Sequence, residues 1–342
     1  MHAYTRRTDN PVPDFILAPA YILYRPPAMS GLEIHPFADE HLDAAAALLQ
    51  KRHRRHRETE SLLGDSFDFR AEVEALWRGE AASGAVAIRD GGVVGYLLGI
   101  RKDDARWGPN VWVEPAGHAV ERAEEIRDLY AGAAARWVEE GRMRQYVMAP
   151  AADAAAVDAW FRLSFGQQHA HGIREVPDVS WPSGVRLADE RDIDELVELS
   201  PLLVEHQAGA PVFGIGLPRE SPEEIRAEIL EDLANPDFGD LVAEQDGRIV
   251  GAFQLVPVEL SSQHSSLARP EGAVLLNWAA TRPEVRGSGA GVALTNAGFA
   301  WAREQGYETM VTDWRETNLL SSRFWPQRGF RRTFLRLYRS IP

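Results

Sequence analysis

Residues 274–291 read Val274-Leu275-Leu276-Asn277-Trp278-Ala279-Ala280-Thr281-Arg282-Pro283-Glu284-Val285-Arg286-Gly287-Ser288-Gly289-Ala290-Gly291. The first seven are mostly apolar, as in a buried strand, and Pro283 stops that strand. Three glycines follow, and an apolar-periodic helix begins at once after them. Glycines let a backbone approach an anion without a Cβ clash. The first N–H groups of a helix are unpaired and carry partial positive charge. The turn is therefore expected to hold a phosphate or pyrophosphate. A nucleotide P-loop would need Gly-Lys-Ser/Thr, and Val292 and Ala293 stand in that place. A dinucleotide fingerprint would need G-x-G-x-x-G near the start of a domain, whereas G-x-G-x-G lies here deep in the second half.

Working outward, the same plan occurs twice. Asp90-Gly91-Gly92-Val93-Val94-Gly95 reads as a hairpin turn entering a strand, and so does Asp246-Gly247-Arg248-Ile249-Val250-Gly251. Each has a strand before it (85–88 and 240–245) and helical, charged sequence before that (39–80 and 191–235). Later in each half a helix ends in glycine (129–141 and 292–306), a strand follows (145–149 and 309–313), and then a short helix (154–162 and 319–327). Trp160 and Trp325 sit 165 positions apart, as do Phe165 and Phe330. Each half is expected to run β-α-α-β-β-β-α-β-α-β. The link is expected at 172–184, where Pro177, Pro182, Ser183 and Gly184 gather.

Composition sets the outer limits. A chain of 342 residues with 45% hydrophobic and 26% charged residues is ordinary globular material, long enough for two cores. A net charge of -14 argues against a nucleic-acid binder, which needs a basic face. No cysteine is present, so thiolate nucleophiles, disulfides and cysteine-ligated metals are excluded. No run reaches the ~18 apolar residues of a membrane span. Residues 1–28 hold an apolar run from Phe15 to Leu23 behind Arg6 and Arg7, broken by Pro19 and without a convincing cleavage site. They are expected to be a disordered extension or a misassigned start, ahead of a first strand at Leu32-Glu33-Ile34, and a cytoplasmic location is expected.

Arg286, Gly289 and Gly291 match R-x-x-G-x-G/A, the pyrophosphate loop of acyl-CoA-dependent N-acetyltransferases. With Ala279-Ala280-Thr281, Pro283, Asn318, Phe324-Trp325 and Gly329-Phe330, residues 185–342 resemble the GNAT acetyltransferases. The whole chain resembles the tandem-GNAT proteins of the mycothiol-synthase-like kind. That resemblance implies an α/β fold of two tandem GNAT units, each a mixed twisted sheet flanked by helices. Residues 29–171 would be a degenerate copy and 185–342 the catalytic one. Acetyl-CoA would lie where central strands splay apart. Its pantetheine arm would pair with the backbone of Ala279, Ala280 and Thr281, and its pyrophosphate would rest on Gly287, Ser288, Gly289, Ala290 and Gly291 beside Arg286. Asn318 and Trp325 would touch the same ligand, although Asn318 also reads as a helix cap.

For chemistry, a raised carboxyl pKa at a strand end would let Asp313 accept an amine proton; its plainer reading is a turn residue. Glu259 is a second candidate, and His264 a lesser one in an expected mobile loop. Seven residues after Asn318 many family members carry a tyrosine that protonates the leaving thiolate. Here stands Trp325, whose indole cannot serve, which leaves Tyr338 or water. The expected activity is direct transfer of an acetyl group to a primary amine of a small molecule, with no metal. The alternatives are a non-catalytic acyl-CoA-binding or sensing protein, and an interaction scaffold. The acceptor and the oligomeric state stay open.

Carried back by the repeat offset, Arg122-Ala123-Glu124-Glu125-Ile126-Arg127 occupies the place of the phosphate loop. Glu125 falls at Gly289 and Asp153 at Asn318. Two carboxylates would repel a pyrophosphate, so the first copy is expected to shape a wall of the acceptor pocket. The run Arg52-His53-Arg54-Arg55-His56-Arg57 reads as a solvated helix face balanced by Glu58 and Glu60. His118, His169 and His171 lack metal-ligand spacing and read as structural.

Overall fold

The computed structural model describes residues 31–104, 107–214, 221–262 and 264–342. The extension expected at 1–28 lies outside them. The first copy contains β1 Leu32–Pro36, α1 Leu42–Thr59, α2 Phe69–Trp77, β2 Ala82–Arg89, β3 Gly92–Asp104, β4 Gly108–Val113, β5 His118–Val120, α3 Glu125–Glu139, β6 Arg144–Pro150, α4 Ala154–Phe161 and β7 Gly166–Glu175. The second contains β8 Val185–Leu187, α5 Ile193–Leu199, α6 Pro201–Ala208, α7 Pro222–Leu233, β9 Gly239–Gln245, β10 Arg248–Pro257, β11 Val274–Thr281, α8 Ala290–Glu304, β12 Thr309–Arg315, α9 Ser321–Gln327 and β13 Arg331–Ser340. The expected element order holds in both, with β5 added in the first and a third early helix in the second. Both hairpins turn on Asp-Gly pairs with positive φ (52° and 78° at Asp90 and Gly91, 54° and 74° at Asp246 and Gly247), the geometry that matches strand twist.

All strands join one mixed sheet, ordered β1-β2-β3-β4-β6-β13-β7-β12-β11-β10-β9-β8, with β5 beside β3. The two copies interlock at its centre. β13 of the second copy stands between β6 and β7 of the first, and β7 of the first stands between β12 and β13 of the second. Ala170 faces Leu335 in the β7–β13 ladder. These two positions are related by the repeat offset, so the ladder has a pseudo-twofold centre there. The exchange also explains why β7 extends beyond residue 171, where the sequence reading ended the first copy: Glu175 is held by Thr309 of β12.

Helices cover both faces, and the cores cross between the copies. One apolar layer runs from Trp137 and Trp160 under α3 and α4 to Trp301 and Trp325 under α8 and α9. Another joins Leu42, Leu49 and Val73 of α1 and α2 to Phe334 of β13. The helical period of α1 corrects the reading of its basic run. Leu42, Ala45, Leu49, Arg52, His53 and His56 share the inward stripe, and Arg52, His53 and His56 are buried. The Arg52 guanidinium donates to the carbonyls of Pro115 and His118. No helix among the described residues is long and apolar enough to cross a membrane.

Candidate active site

The site begins where parallel strands part. β11 and β12 pair at only two positions, Val274 with Met310 and Leu275 with Val311. The Thr312 hydroxyl then donates to the Leu276 carbonyl at 3.1 Å, and beyond that point the strands diverge. On its other side β11 stays paired to β10 as far as Thr281, with Asn277 bulged out between Leu276 and Trp278. The edge of β11 that carries Ala279, Ala280 and Thr281 thus has no partner strand. A cavity of about 1040 Å³ fills the split.

The glycine turn closes one end of this cavity. Gly287 and Gly289 have φ of 88° and 99°, and a Cβ built on either would meet nothing within 4 Å. Gly289 is the N-cap of α8. The first inward bond of the helix is Ala293 N–H to the Gly289 carbonyl. The N–H groups of Gly287, Gly289, Ala290, Gly291 and Val292 have no acceptor among the described residues. The result is a donor-lined cradle of the kind an anion fills. Nearby, Arg282 is buried and fixed by the Ile249 carbonyl and Glu198, both at 2.8 Å, which anchors the turn to β10 and α5.

Ala279, Ala280, Thr281, Arg286, Gly287, Gly289, Ala290, Gly291, Asn318 and Trp325 all line the cavity, whereas Ser288 does not. Asn318 Oδ1 accepts from Leu320 N–H at 3.1 Å and lies 3.2 Å from His206 Nε2. The N-cap of α9 is Leu320, without a side-chain cap, so Asn318 shapes the turn ahead of the helix and is not its cap, and it faces the cavity. Trp325 is buried against Phe253, Phe324 and Phe330. Tyr338 is not brought to the cavity; its ring lies 4.9 Å from that of Tyr146 on β6. Glu259 is also elsewhere, accepting from Gly272 N–H at 3.0 Å.

Asp313 does reach the cavity, but its environment is the reverse of the expected one. Burial pushes its pKa up, yet the close imidazole of His169, with those of His264 and His171, outweighs burial and holds the carboxyl below its usual range. His169 Nδ1 lies 3.1 Å from Asp313 Oδ2 in a bent approach. His169 itself is pulled down to about 3, first by burial and then by Arg336. His171 is also lowered, by burial and then by His264. His264 is 1% exposed with its ring 4.5 Å from that of His171, so it is a packed residue and not part of a loose loop. Among the described residues no group of histidines and carboxylates has the geometry to hold a metal.

His169 and His171, read from the sequence as structural, both line the cavity. They lie on β7 and so belong to the first copy. Only the strand exchange brings them to β12, and no local sequence signal reports an exchange. The first copy supplies the far wall too, through Lys102, Trp107, Trp112, Glu114 and Met148.

The equivalent place in the first copy is filled. Glu125 is 2% exposed; its carboxylate accepts from Arg122 N–H at 3.0 Å and pairs with Arg89 at 2.8 Å. A protein carboxylate thus sits where the second copy has its open cradle. The split between β5 and β6 is bridged by His118 Nε2, 3.1 Å from the Met148 carbonyl. Asp153 caps α4 through Ala156 N–H at 3.0 Å.

Comparison with known proteins agrees with this geometry. Residues 207–330 match the model of the acetyltransferase (GNAT) family. A GCN5-related N-acetyltransferase from Sphaerobacter thermophilus shares the fold, at 14% identity over 90% of this chain and 95% of that one, with a TM-score of 0.53. So does the GCN5-related glucosamine N-acetyltransferase region of a fungal multi-domain GH3 β-N-acetylglucosaminidase, at 15% identity, 91% of this chain, 38% of that one and a TM-score of 0.52. A tandem GNAT protein from the clavulanic acid biosynthesis pathway aligns at 16% identity over 91% of this chain and 98% of that one, with a TM-score of 0.47. No curated protein matches the sequence.

Proposed function

We propose that this chain, which carries a GNAT-family acetyltransferase domain, moves the acetyl group of acetyl-CoA to a primary amine of a small molecule, at one site in its C-terminal copy. The observation that carries this reading is the donor-lined cradle of Gly287 to Gly291 at the β11–β12 split. Free N–H donors and open Cβ positions suit a pyrophosphate. The unpaired edge of β11 suits the amides of a pantetheine arm. Arg286, Asn318 and Trp325 line the same cavity, where Arg286 would meet phosphate charge and the other two would face the arm.

The acceptor would enter from the side walled by the first copy. A cavity of this volume suits a metabolite-sized molecule better than a folded protein surface. The new C–N bond forms as the thioester C–S bond breaks, so no covalent enzyme intermediate is needed. That fits a chain without cysteine. A cytoplasmic location follows from the supply of acetyl-CoA.

Calorimetry with acetyl-CoA tests the reading. One site per chain, followed by product formation across an amine library, is the expected result. Binding without turnover of any amine would favour the acyl-CoA-sensing alternative. No binding at millimolar ligand would remove the proposal.

A further inference from the structure

The strand exchange sets three cavity residues in one cross-strand row. Arg315 of β12 faces His169 of β7, and His169 faces Arg336 of β13. Residues opposite one another in neighbouring strands share a face of the sheet, and all three line the cavity. A guanidinium thus stands on either side of an imidazole. With strands ~4.8 Å apart, the two arginine backbones are about 10 Å from each other, close enough for both side chains to meet one small ligand. Asp313, two residues before Arg315, belongs to the next row, opposite His171.

Both arginines are built into the wall. Arg315 is 8% exposed and Arg336 7%. Arg315 Nε donates to Gln207 Oε1 of α6 at 2.8 Å, and Arg336 Nε to Gln168 Oε1 at 2.9 Å. Gln168 is the extra residue of a bulge, since Arg336 faces His169 while Leu337 faces Gln167; a bulge re-aims the side chain it carries. Arg336 also lies over the Trp112 ring, 5.5 Å from its centroid, against the wall supplied by the first copy. These neutral groups hold two planar forks in fixed orientations, the form in which arginine recognises an oxyanion. The first copy lacks the pair: by the repeat offset its counterparts are Pro150 and His171. The chain carries a net charge of -14, yet among the described residues more cationic than acidic side chains line this cavity. The glycine cradle lies on the β11 side of the split, ahead of α8, whereas the arginine row lies on the β12 side.

From this row we infer that the acceptor amine carries an oxyanion of its own, a carboxylate or a phosphate, and that Arg315 and Arg336 bind it. The inference rests on the acetyltransferase reading above and narrows its substrates from primary amines at large to acidic ones. The cradle takes the phosphates of the cofactor, and the row on the opposite side takes the charge of the acceptor. Two charge-assisted contacts fix the orientation of the acceptor as well as its affinity, so the preference is expressed chiefly in KM.

The test uses the full chain with acetyl-CoA and three amines of similar length: 4-aminobutyrate, 3-aminopropyl phosphate and butylamine. Because the protein has no thiol of its own, a thiol-reactive dye reads CoA release without background. At least one of the two acids is expected to exceed butylamine by about tenfold or more in kcat/KM, and the better of the two identifies the oxyanion. Arg315→Gln and Arg336→Gln are each expected to shrink that ratio to about threefold or less, with acetyl-CoA affinity in calorimetry kept within about twofold. Butylamine as good as both acids would overturn the inference, and so would a preference for the acids that survives in both variants. Calorimetry of the wild type with the products gives an answer that needs neither variant nor turnover. 4-Acetamidobutyrate or 3-acetamidopropyl phosphate is expected to bind about tenfold more tightly than N-butylacetamide, and equal affinities would overturn the inference. Failure of the wild type to bind acetyl-CoA would instead sink the acetyltransferase reading beneath it.

Discussion

Glu125 and Gly289 open equivalent helices, and the volume that one fills with its carboxylate the other leaves vacant. The contrast yields a paired prediction. Gly289→Glu forces a side chain onto a backbone at φ 99° and puts negative charge in the cradle. Calorimetry should show acetyl-CoA affinity lost by at least 10²-fold. Glu125→Gly should leave that affinity alone and cost roughly 1–3 kcal/mol in urea unfolding, because Arg89 and the Arg122 N–H lose their acceptor.

Acid should unfold this protein early. Burial first of all pulls His56, His118 and His169 down to about 3, whereas an unfolded histidine titrates near 6.5. Below that value the unfolded chain takes up protons that the folded one refuses, so stability falls as pH drops from about 6.5 towards 3. The slope is about 1.4 kcal/mol per pH unit for each such histidine. Asp313, lowered in the fold, adds its own loss only below the ordinary carboxylate range near 4. Urea midpoints recorded between pH 7.5 and 5 check this. A flat dependence would mean that these rings are charged or exposed.

β7 should tolerate little at Gly172 and more at Gly166. A Cβ on Gly172 would lie 2.4 Å from the Trp314 ring, which is itself 2% exposed. Gly172→Ala should cost about 1–3 kcal/mol by overpacking the contact with β12. Gly166, with nothing within 4 Å, should accept alanine with under about 0.5 kcal/mol of change. Equal effects in chemical unfolding would argue against the β7–β12 pairing.

Asp313→Asn should retain acetyl-CoA affinity within about twofold in calorimetry, because Asp313 sits beside His169 on β12 and not in the glycine cradle. Trp325→Phe should leave the pH profile of turnover unchanged, since the indole serves packing against Phe253, Phe324 and Phe330. A displaced pH optimum in Trp325→Phe would assign chemistry to the indole after all.

Much of the architecture was legible because it is written locally. Asp-Gly pairs fix both hairpins, glycines mark the cradle at 287–291, and the repeat offset aligns the two copies. What was not legible depends on contacts between distant segments. Residues 52–57 look solvated by composition, yet the stripe begun by Leu42 and Ala45 turns half of them inward. Asp313 looks like a carboxyl raised by burial until three imidazoles surround it. His169 and His171 carry no metal-ligand spacing and look inert in their own copy. Their setting is decided by which strand lies next to theirs, a matter of sheet order that no window of sequence contains.

The interlocked centre of the sheet bears on how this protein is made. When synthesis reaches the link between the copies, β6 has no neighbour on one edge, because the strand that covers it is β13. β7 likewise waits for β12 and β13. The first half therefore cannot finish folding as it leaves the ribosome. Its open edge stays exposed until the second half arrives, a state prone to aggregation. Closure depends on contacts very distant in the chain, which slows folding. Severing the link should thus yield two fragments that are soluble only together, not two working domains.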